Sequence, residues 1–230
     1  MITQIYGCAG IEDVMLCSKL GVDNVGISFG DVKHLGPHQR TAAECRDFFA
    51  LFPDNITKVG LTIASDVDEI IHDLSICMPD IYHLSGDIEN IPPEEVERIR
   101  KAYPELKIMQ AIPVLGGVPL EQQKVLKLIK DYEEVTDFFL IDTKDLSSEI
   151  GIGATGAIHD RYIDKAIVES TKVPCIIAGG LDASNVAEAI HIAHPYGVDS
   201  CTLTSWDRRL GKRGKDPVKL EAFVRAAQNA

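Results

Sequence analysis

Short runs that are apolar at almost every residue alternate along this chain with longer stretches whose apolar positions recur every three to four residues. The short runs cover residues 2–7, 24–29, 57–63, 80–84, 107–112, 137–141, 174–177 and 198–202. Such runs, lacking a polar face, predict strands buried on both sides, as in a parallel sheet. The longer stretches, residues 12–20, 41–51, 66–76, 92–102, 120–132, 160–170, 183–193 and 217–227, predict amphipathic helices. Ser65 or Asp66 stands where the third helix needs a cap. The fourth begins on proline, with three glutamates near its positive end. Eight strand–helix units with no linker between them predict one α/β domain over residues 1–230, a (β/α)8 TIM barrel. A doubly wound open sheet is the alternative. It is disfavoured because no Gly-x-Gly-x-x-Gly follows the first strand.

Composition narrows the class of function. Of the 230 residues, 45% are hydrophobic, enough for a large core, and the net charge is −12. That charge argues against nucleic acid as a partner, since the one basic cluster, residues 208–215, is local. No apolar run approaches the roughly 20 residues of a membrane span. Met1–Gln4 carries neither a basic nor an apolar leader region, so no secretory signal is expected. The six cysteines lack Cys-x-x-Cys spacing and read as reduced thiols of a cytoplasmic protein, neither a disulfide frame nor a zinc site. No histidine spacing suggests a metal.

On a barrel, reactive groups sit after the C-terminal ends of the strands. The run Pro174-Cys175-Ile176-Ile177-Ala178-Gly179-Gly180-Leu181-Asp182 ends a buried strand in paired glycines, with a helix pattern beyond. Without Cβ atoms, backbone N–H groups can approach a ligand closely, and a helix N-terminus favours an anion. A phosphate site is therefore expected at Gly179 and Gly180, completed by Gly156 and by the hydroxyls of Thr202 and Thr204 after the eighth strand. Asp142, directly after the sixth strand, is placed where burial raises a carboxyl pKa, and is the leading acid–base candidate. Strand alternation puts Tyr6 and Cys8 on one face, if strand geometry continues through Gly7, so Cys8 is a candidate base. His83 at the end of the fourth strand is another proton-transfer candidate. Tyr6, the loop after the second strand with His38 and Arg40, and Asp182 after the seventh are candidates for holding the rest of a substrate. Lys144 is the one lysine that a Schiff-base aldolase reading would use, although it falls in a loop.

The order of these motifs resembles the phosphoribosylanthranilate isomerase family. That family opens on Lys-Ile-Cys-Gly-Ile-Thr and then Glu-Asp; here Gln4-Ile5-Tyr6-Gly7-Cys8-Ala9 precede Glu12-Asp13. Its Gln-Leu-His-Gly-Asp-Glu resembles His83-Leu84-Ser85-Gly86-Asp87. Its Leu-Asp, Gly-Gly-Thr-Gly and Phe-Asp-Trp resemble Ile141-Asp142, Gly153-Ala154-Thr155-Gly156 and His159-Asp160-Arg161. Its Leu-Ala-Gly-Gly-Leu resembles Ile177-Ala178-Gly179-Gly180-Leu181, and its late Gly-Val-Asp resembles Gly197-Val198-Asp199. The resemblance implies a barrel, an Amadori rearrangement of a phosphorylated sugar derivative, no cofactor, a cysteine base and an aspartate acid. The aspartate falls on Asp142. The cysteine does not carry over, because Tyr6 takes its place and Cys8 lies two residues on, about 6–7 Å along a strand. The family's Ser-Pro-Arg, whose arginine meets the anthranilate carboxylate, resembles Gly36-Pro37-His38, with Arg40 displaced. The expectation is an isomerase of a phosphosugar derivative, phosphoribosylanthranilate or a relative of it. An aldolase, lyase or epimerase, or a phosphosugar binder without catalysis, are the alternatives. A homo-oligomer is compatible with all of these.

Overall fold

The computed structural model describes residues 1–30, 40–144, 156–207, 209 and 211–230. Its eight strands are β1 (Ile2–Tyr6), β2 (Asn24–Ser28), β3 (Thr57–Thr62), β4 (Ile81–Leu84), β5 (Lys107–Leu115), β6 (Phe138–Lys144), β7 (Cys175–Ile177) and β8 (Gly197–Ser200). They pair in sequence order, all parallel, and β1 also pairs with β8, closing the barrel. The open-sheet alternative is thereby excluded. The helices are α1 (Ile11–Leu20), α2 (Ala42–Phe49), α3 (Val67–Ile76), α4 (Pro93–Ala102), α5 (Val125–Tyr132), α6 (Arg161–Ser170), α7 (Val186–Ala193) and α8 (Pro217–Gln228).

Local chemistry sets several helix starts. Asp66 accepts from the amides of Asp68 and Glu69, and Thr41 forms a reciprocal capping box with Glu44. Asp160 accepts from the Tyr162 amide at the head of α6, and Asp216 caps α8 just before Pro217. Two apolar clusters follow from strand alternation. The larger lies between strands and helices and includes Ile5, Ile27, Phe29, Ile112, Phe139 and Ile141. The smaller fills the barrel lumen with Tyr6, Val59, Ile81, Met109, Leu140 and Ile176.

One boundary shifts a functional residue. β6 runs through Asp142 and Thr143 to Lys144, with Asp142 opposite Pro113 and Lys144 opposite Leu115 on β5. Asp142 and Lys144 therefore belong to the strand and are not loop residues. Asp142 shares inward parity with Leu140 of the lumen cluster, whereas Thr143 faces the helices.

Candidate active site

The inward positions at the C-terminal end of the barrel bring two carboxyls to one cleft. Asp142 of β6 and Asp199 of β8 line it together with Gly156, Gly179, Gly180 and Thr202. Burial raises the Asp142 carboxyl to about 6, partly offset by the hydrogen bond that the Thr143 amide donates to it. Asp199 is pushed well above the usual carboxylate range, first by burial and then by the charge of Asp142; a hydrogen bond from Gln4 and the charge of Lys215 offset part of this. Its Oδ1 is buried with no hydrogen-bond partner among the described residues. Two neighbouring carboxyls with separated affinities for a proton can hold one proton between them near neutrality, which is the arrangement that acid–base catalysis needs.

Above these carboxyls, the paired-glycine turn has the geometry expected of an anion cradle. Gly179 and Gly180 adopt φ of +76° and +65°, conformations that favour glycine. A Cβ at Gly179 would lie 2.4 Å from Thr143 Oγ1, and one at Gly180 would lie 2.5 Å from Ile158 Cγ2. Neither position has room for a side chain. Thr202 Oγ1 is buried without a partner among the described residues and lines the same cleft, as does Gly156. Thr204 does not. Its hydroxyl donates to the Cys201 carbonyl and accepts from Lys215 Nζ beneath the loop, so it braces the loop and does not face the cleft.

The first strand departs from the expected parity. Gly7 takes φ of +81°, which ends the strand alternation after Tyr6. Tyr6 points into the lumen, while Cys8 turns outward into the cluster under the helices, its Sγ 3.9 Å from Cys17 Sγ. The contact with Cys17 and burial raise the Cys8 thiol well above its ordinary range, so Cys8 is neither placed nor activated as a base. His83 does face the lumen, where its Nδ1 lies 2.7 Å from the Tyr6 hydroxyl. Burial lowers its pKa to about 3, leaving a neutral ring near neutrality, and raises that of the Tyr6 phenol well above normal. This pair holds hydrogen bonds but is not poised to exchange protons.

Among the remaining candidates, Arg40 donates from Nη2 to the Ala9 carbonyl and stacks its guanidinium 4.1 Å from the centre of the Phe48 ring. It thus stands beside the loop that follows β1. Asp182 is consumed locally: its Oδ1 accepts from the amide and the hydroxyl of Ser184 at the approach to α7. Helix α7 itself begins at Val186, later than the sequence pattern suggests. Lys144 is ion-paired to Asp87 at 2.7 Å. His38 lies outside the described residues. Among the described residues no cluster of histidine, cysteine and carboxylate side chains could hold a metal ion. No helix there is long and apolar enough to cross a membrane.

Asp199 is not among the residues that the sequence reading brings to the site. A signal for it exists, since an aspartate in an otherwise buried strand is costly unless it has a role. Strand parity with Gly197 would also have turned it away from Val198, which packs outward.

Comparison with known proteins agrees with this fold. The family model of N-(5'-phosphoribosyl)anthranilate (PRA) isomerase matches residues 3–202. A Methanosarcina mazei protein, N-(5'-phosphoribosyl)anthranilate isomerase 2, is 30% identical over 100% of this chain and 95% of its own length. The isomerase of Listeria welshimeri is 31% identical over 99% and 98%. The solved isomerase of Pyrococcus furiosus shares the fold, with a TM-score of 0.77 at 24% identity and 100% of both chains covered. So does a phosphoribosyl anthranilate isomerase in complex with reduced 1-(o-carboxyphenylamino)-1-deoxyribulose 5-phosphate, with a TM-score of 0.73, 18% identity and full coverage of both chains. The fold and these matches define a (β/α)8-barrel isomerase of the aldose–ketose type, an intramolecular oxidoreductase. The chain belongs to the PRA isomerase family.

Proposed function

We propose that this chain rearranges N-(5'-phosphoribosyl)anthranilate to 1-(o-carboxyphenylamino)-1-deoxyribulose 5-phosphate, a step of tryptophan biosynthesis, in the cytoplasm. The observation that carries the reading is the meeting of Asp142 and Asp199 at one cleft with the Gly179–Gly180 turn. The turn and Thr202 take the phosphate. Arg40, beside the loop after β1, is the candidate partner of the anthranilate carboxylate.

The two carboxyls suffice for the proton transfers, with the acid role that the resemblance gives Asp142 passing to Asp199, whose carboxyl is held further above the usual range, and the base role to Asp142. Asp199, held protonated, gives its proton to the ribose ring oxygen as the C1–O bond breaks, and the nitrogen lone pair forms a C=N bond. Asp142, ionised at neutral pH, removes the proton from C2. The C–H electrons become the C1=C2 bond, and the C=N pair returns to nitrogen. The enol-amine then becomes the ketone: Asp142 returns its proton to C1, and the Asp199 carboxylate takes the one from the C2 hydroxyl. C1 is reduced, C2 is oxidised, and both side chains end as they began. No lysine adduct enters this scheme, and the ion pair of Lys144 with Asp87 gives an aldolase reading no support.

The test is turnover of phosphoribosylanthranilate, followed by its fluorescence, in the wild type and in Asp142→Asn and Asp199→Asn. Turnover by the wild type and its loss in both variants are expected. Saturable binding of phosphosugars by the wild type without turnover would replace this reading with a non-catalytic one.

A further inference from the structure

Behind the glycine turn lies a chain of buried polar side chains that the chemistry above does not use. It starts beside Asp142, where Thr143 Oγ1 lies 2.7 Å from His159 Nδ1. His159 Nε2 lies 2.7 Å from Asp164 Oδ1, and the other oxygen of Asp164 is 3.1 Å from Arg161 Nη1. Arg161 Nη1 also donates to the Ala178 carbonyl at 2.8 Å, and Nη2 donates to the Gly179 carbonyl. The side chains of His159 and Asp164 are fully buried. The His159 ring thus bridges the Thr143 hydroxyl on one side and the Asp164 carboxyl on the other, so each of its nitrogens has a partner.

The grip on these carbonyls has a consequence for the ligand side. In a trans peptide the N–H points opposite to the preceding C=O. With the carbonyls of Ala178 and Gly179 drawn toward Arg161, the amides of Gly179 and Gly180 are turned away from it. Asn185 Nδ2 holds the next carbonyl, Gly180, at 2.9 Å, and Ser200 Oγ holds that of Leu181 at 2.7 Å. Four successive carbonyls are thus satisfied by side chains. A fork that bonds two of them at once fixes the orientation of the turn, which a single donor would leave free to rock. Of the phenylalanine and tryptophan of the family pattern at the positions of His159 and Arg161, the first has no donor or acceptor and the second a single donor, so they could not hold two carbonyls at once.

We propose that Arg161, held by Asp164 and His159, is a positioning residue that presets the Gly179–Gly180 amides for phosphate and ties them to Asp142 through Thr143. The proposal rests on the phosphate reading of that turn. Buried polar chains also stabilise folds, so its test needs more than stability.

Steady-state kinetics with phosphoribosylanthranilate and titration with inorganic phosphate, the latter read from the Gly179 and Gly180 amide resonances, are compared in the wild type, Arg161→Gln and Arg161→Lys. In Arg161→Gln, KM is expected to rise at least tenfold and phosphate affinity to fall by a similar factor, with kcat changed less. Arg161→Lys, which can reach one carbonyl, is expected to fall between. Wild-type KM and phosphate affinity in a less stable Arg161→Gln would overturn the proposal and leave the chain a structural brace. If Arg161→Gln does not fold, unchanged KM and phosphate affinity in Arg161→Lys would overturn it equally. If the wild type turns over no phosphoribosylanthranilate but phosphate binding still weakens tenfold, the assigned reaction fails and the positioning role stands.

Discussion

The Tyr6 hydroxyl and His83 Nδ1 lie 2.7 Å apart across the lumen, from β1 to β4. Glycine on β2, one of the two strands between them, makes this possible. A Cβ at Gly26 would come 1.9 Å from Tyr6 Cε1, so the phenol ring lies directly over the bare backbone of β2. Gly26→Ala is expected to displace the ring and cost about 1–3 kcal/mol. In the double variant with Tyr6→Cys, which removes the ring, the glycine substitution should cost far less. Chemical denaturation of the four proteins in that cycle measures the coupling; additive costs would show that the ring does not occupy that space.

If Tyr6 and His83 only hold hydrogen bonds, the hydroxyl is dispensable for proton transfer. Tyr6→Phe is expected to lower stability by about 1–3 kcal/mol, because it leaves a buried imidazole nitrogen unpaired. It should lower kcat by less than about tenfold, far from the loss expected when a catalytic base is removed. Cys8→Ser should leave kcat/KM within about a factor of three, since that thiol faces Cys17 and not the cleft. Steady-state kinetics of both variants check these values, and a collapse of kcat in Cys8→Ser would return the cysteine to the mechanism.

Both lumen carboxyls carry raised pKa values, so each opposes folding when ionised. For Asp142 the sign runs as linkage requires: stability is fully present below the ordinary carboxylate range and is lost as pH rises through about 6. Asp142→Asn should therefore raise Tm at pH 8 while abolishing turnover, and the gain should shrink as pH falls toward 4. Thermal melts of wild type and variant across that range give the test. A variant less stable than the wild type at pH 8 would show that the carboxylate is not a strained one.

Thr202 Oγ1 is buried without a partner among the described residues, as expected of a donor reserved for a ligand. Thr202→Val keeps its shape and removes only the hydroxyl. KM for phosphoribosylanthranilate should rise roughly tenfold, equivalent to about 1–1.5 kcal/mol for one hydrogen bond. Stability without ligand should be unchanged or slightly higher. An unchanged KM would remove Thr202 from the phosphate site.

The barrel could be read from the alternation of apolar runs and helical periods because each strand here is buried on both faces, which leaves a continuous apolar signature. The paired glycines and Asp142 could be read for a related reason: a carboxylate or a double glycine at the end of such a run has no structural use as common as a functional one. The relation of Tyr6 to Cys8 could not. It depends on the φ of Gly7, and glycine permits either sign of φ without any mark in the sequence. Thr204 and Asp182 stand where a ligand's polar groups could be met, but Lys215 of a later segment takes up the Thr204 hydroxyl and the neighbouring Ser184 takes up the Asp182 carboxylate. The link from Thr143 through His159 and Asp164 to Arg161 joins residues 16 positions apart at its first step, and no local pattern encodes such a pairing.

The direction of the pH dependence tests the central claim, that Asp142 acts as base and Asp199 as acid, most directly. If Asp142 must be ionised, kcat/KM for phosphoribosylanthranilate rises with pH through a limb near 6 and stays high to the pH at which Asp199 loses its proton. Asp199→Asn should remove the upper limb together with nearly all activity. A wild-type profile that instead falls as pH rises through 6, or an Asp199→Asn variant with wild-type kcat/KM, would contradict the account.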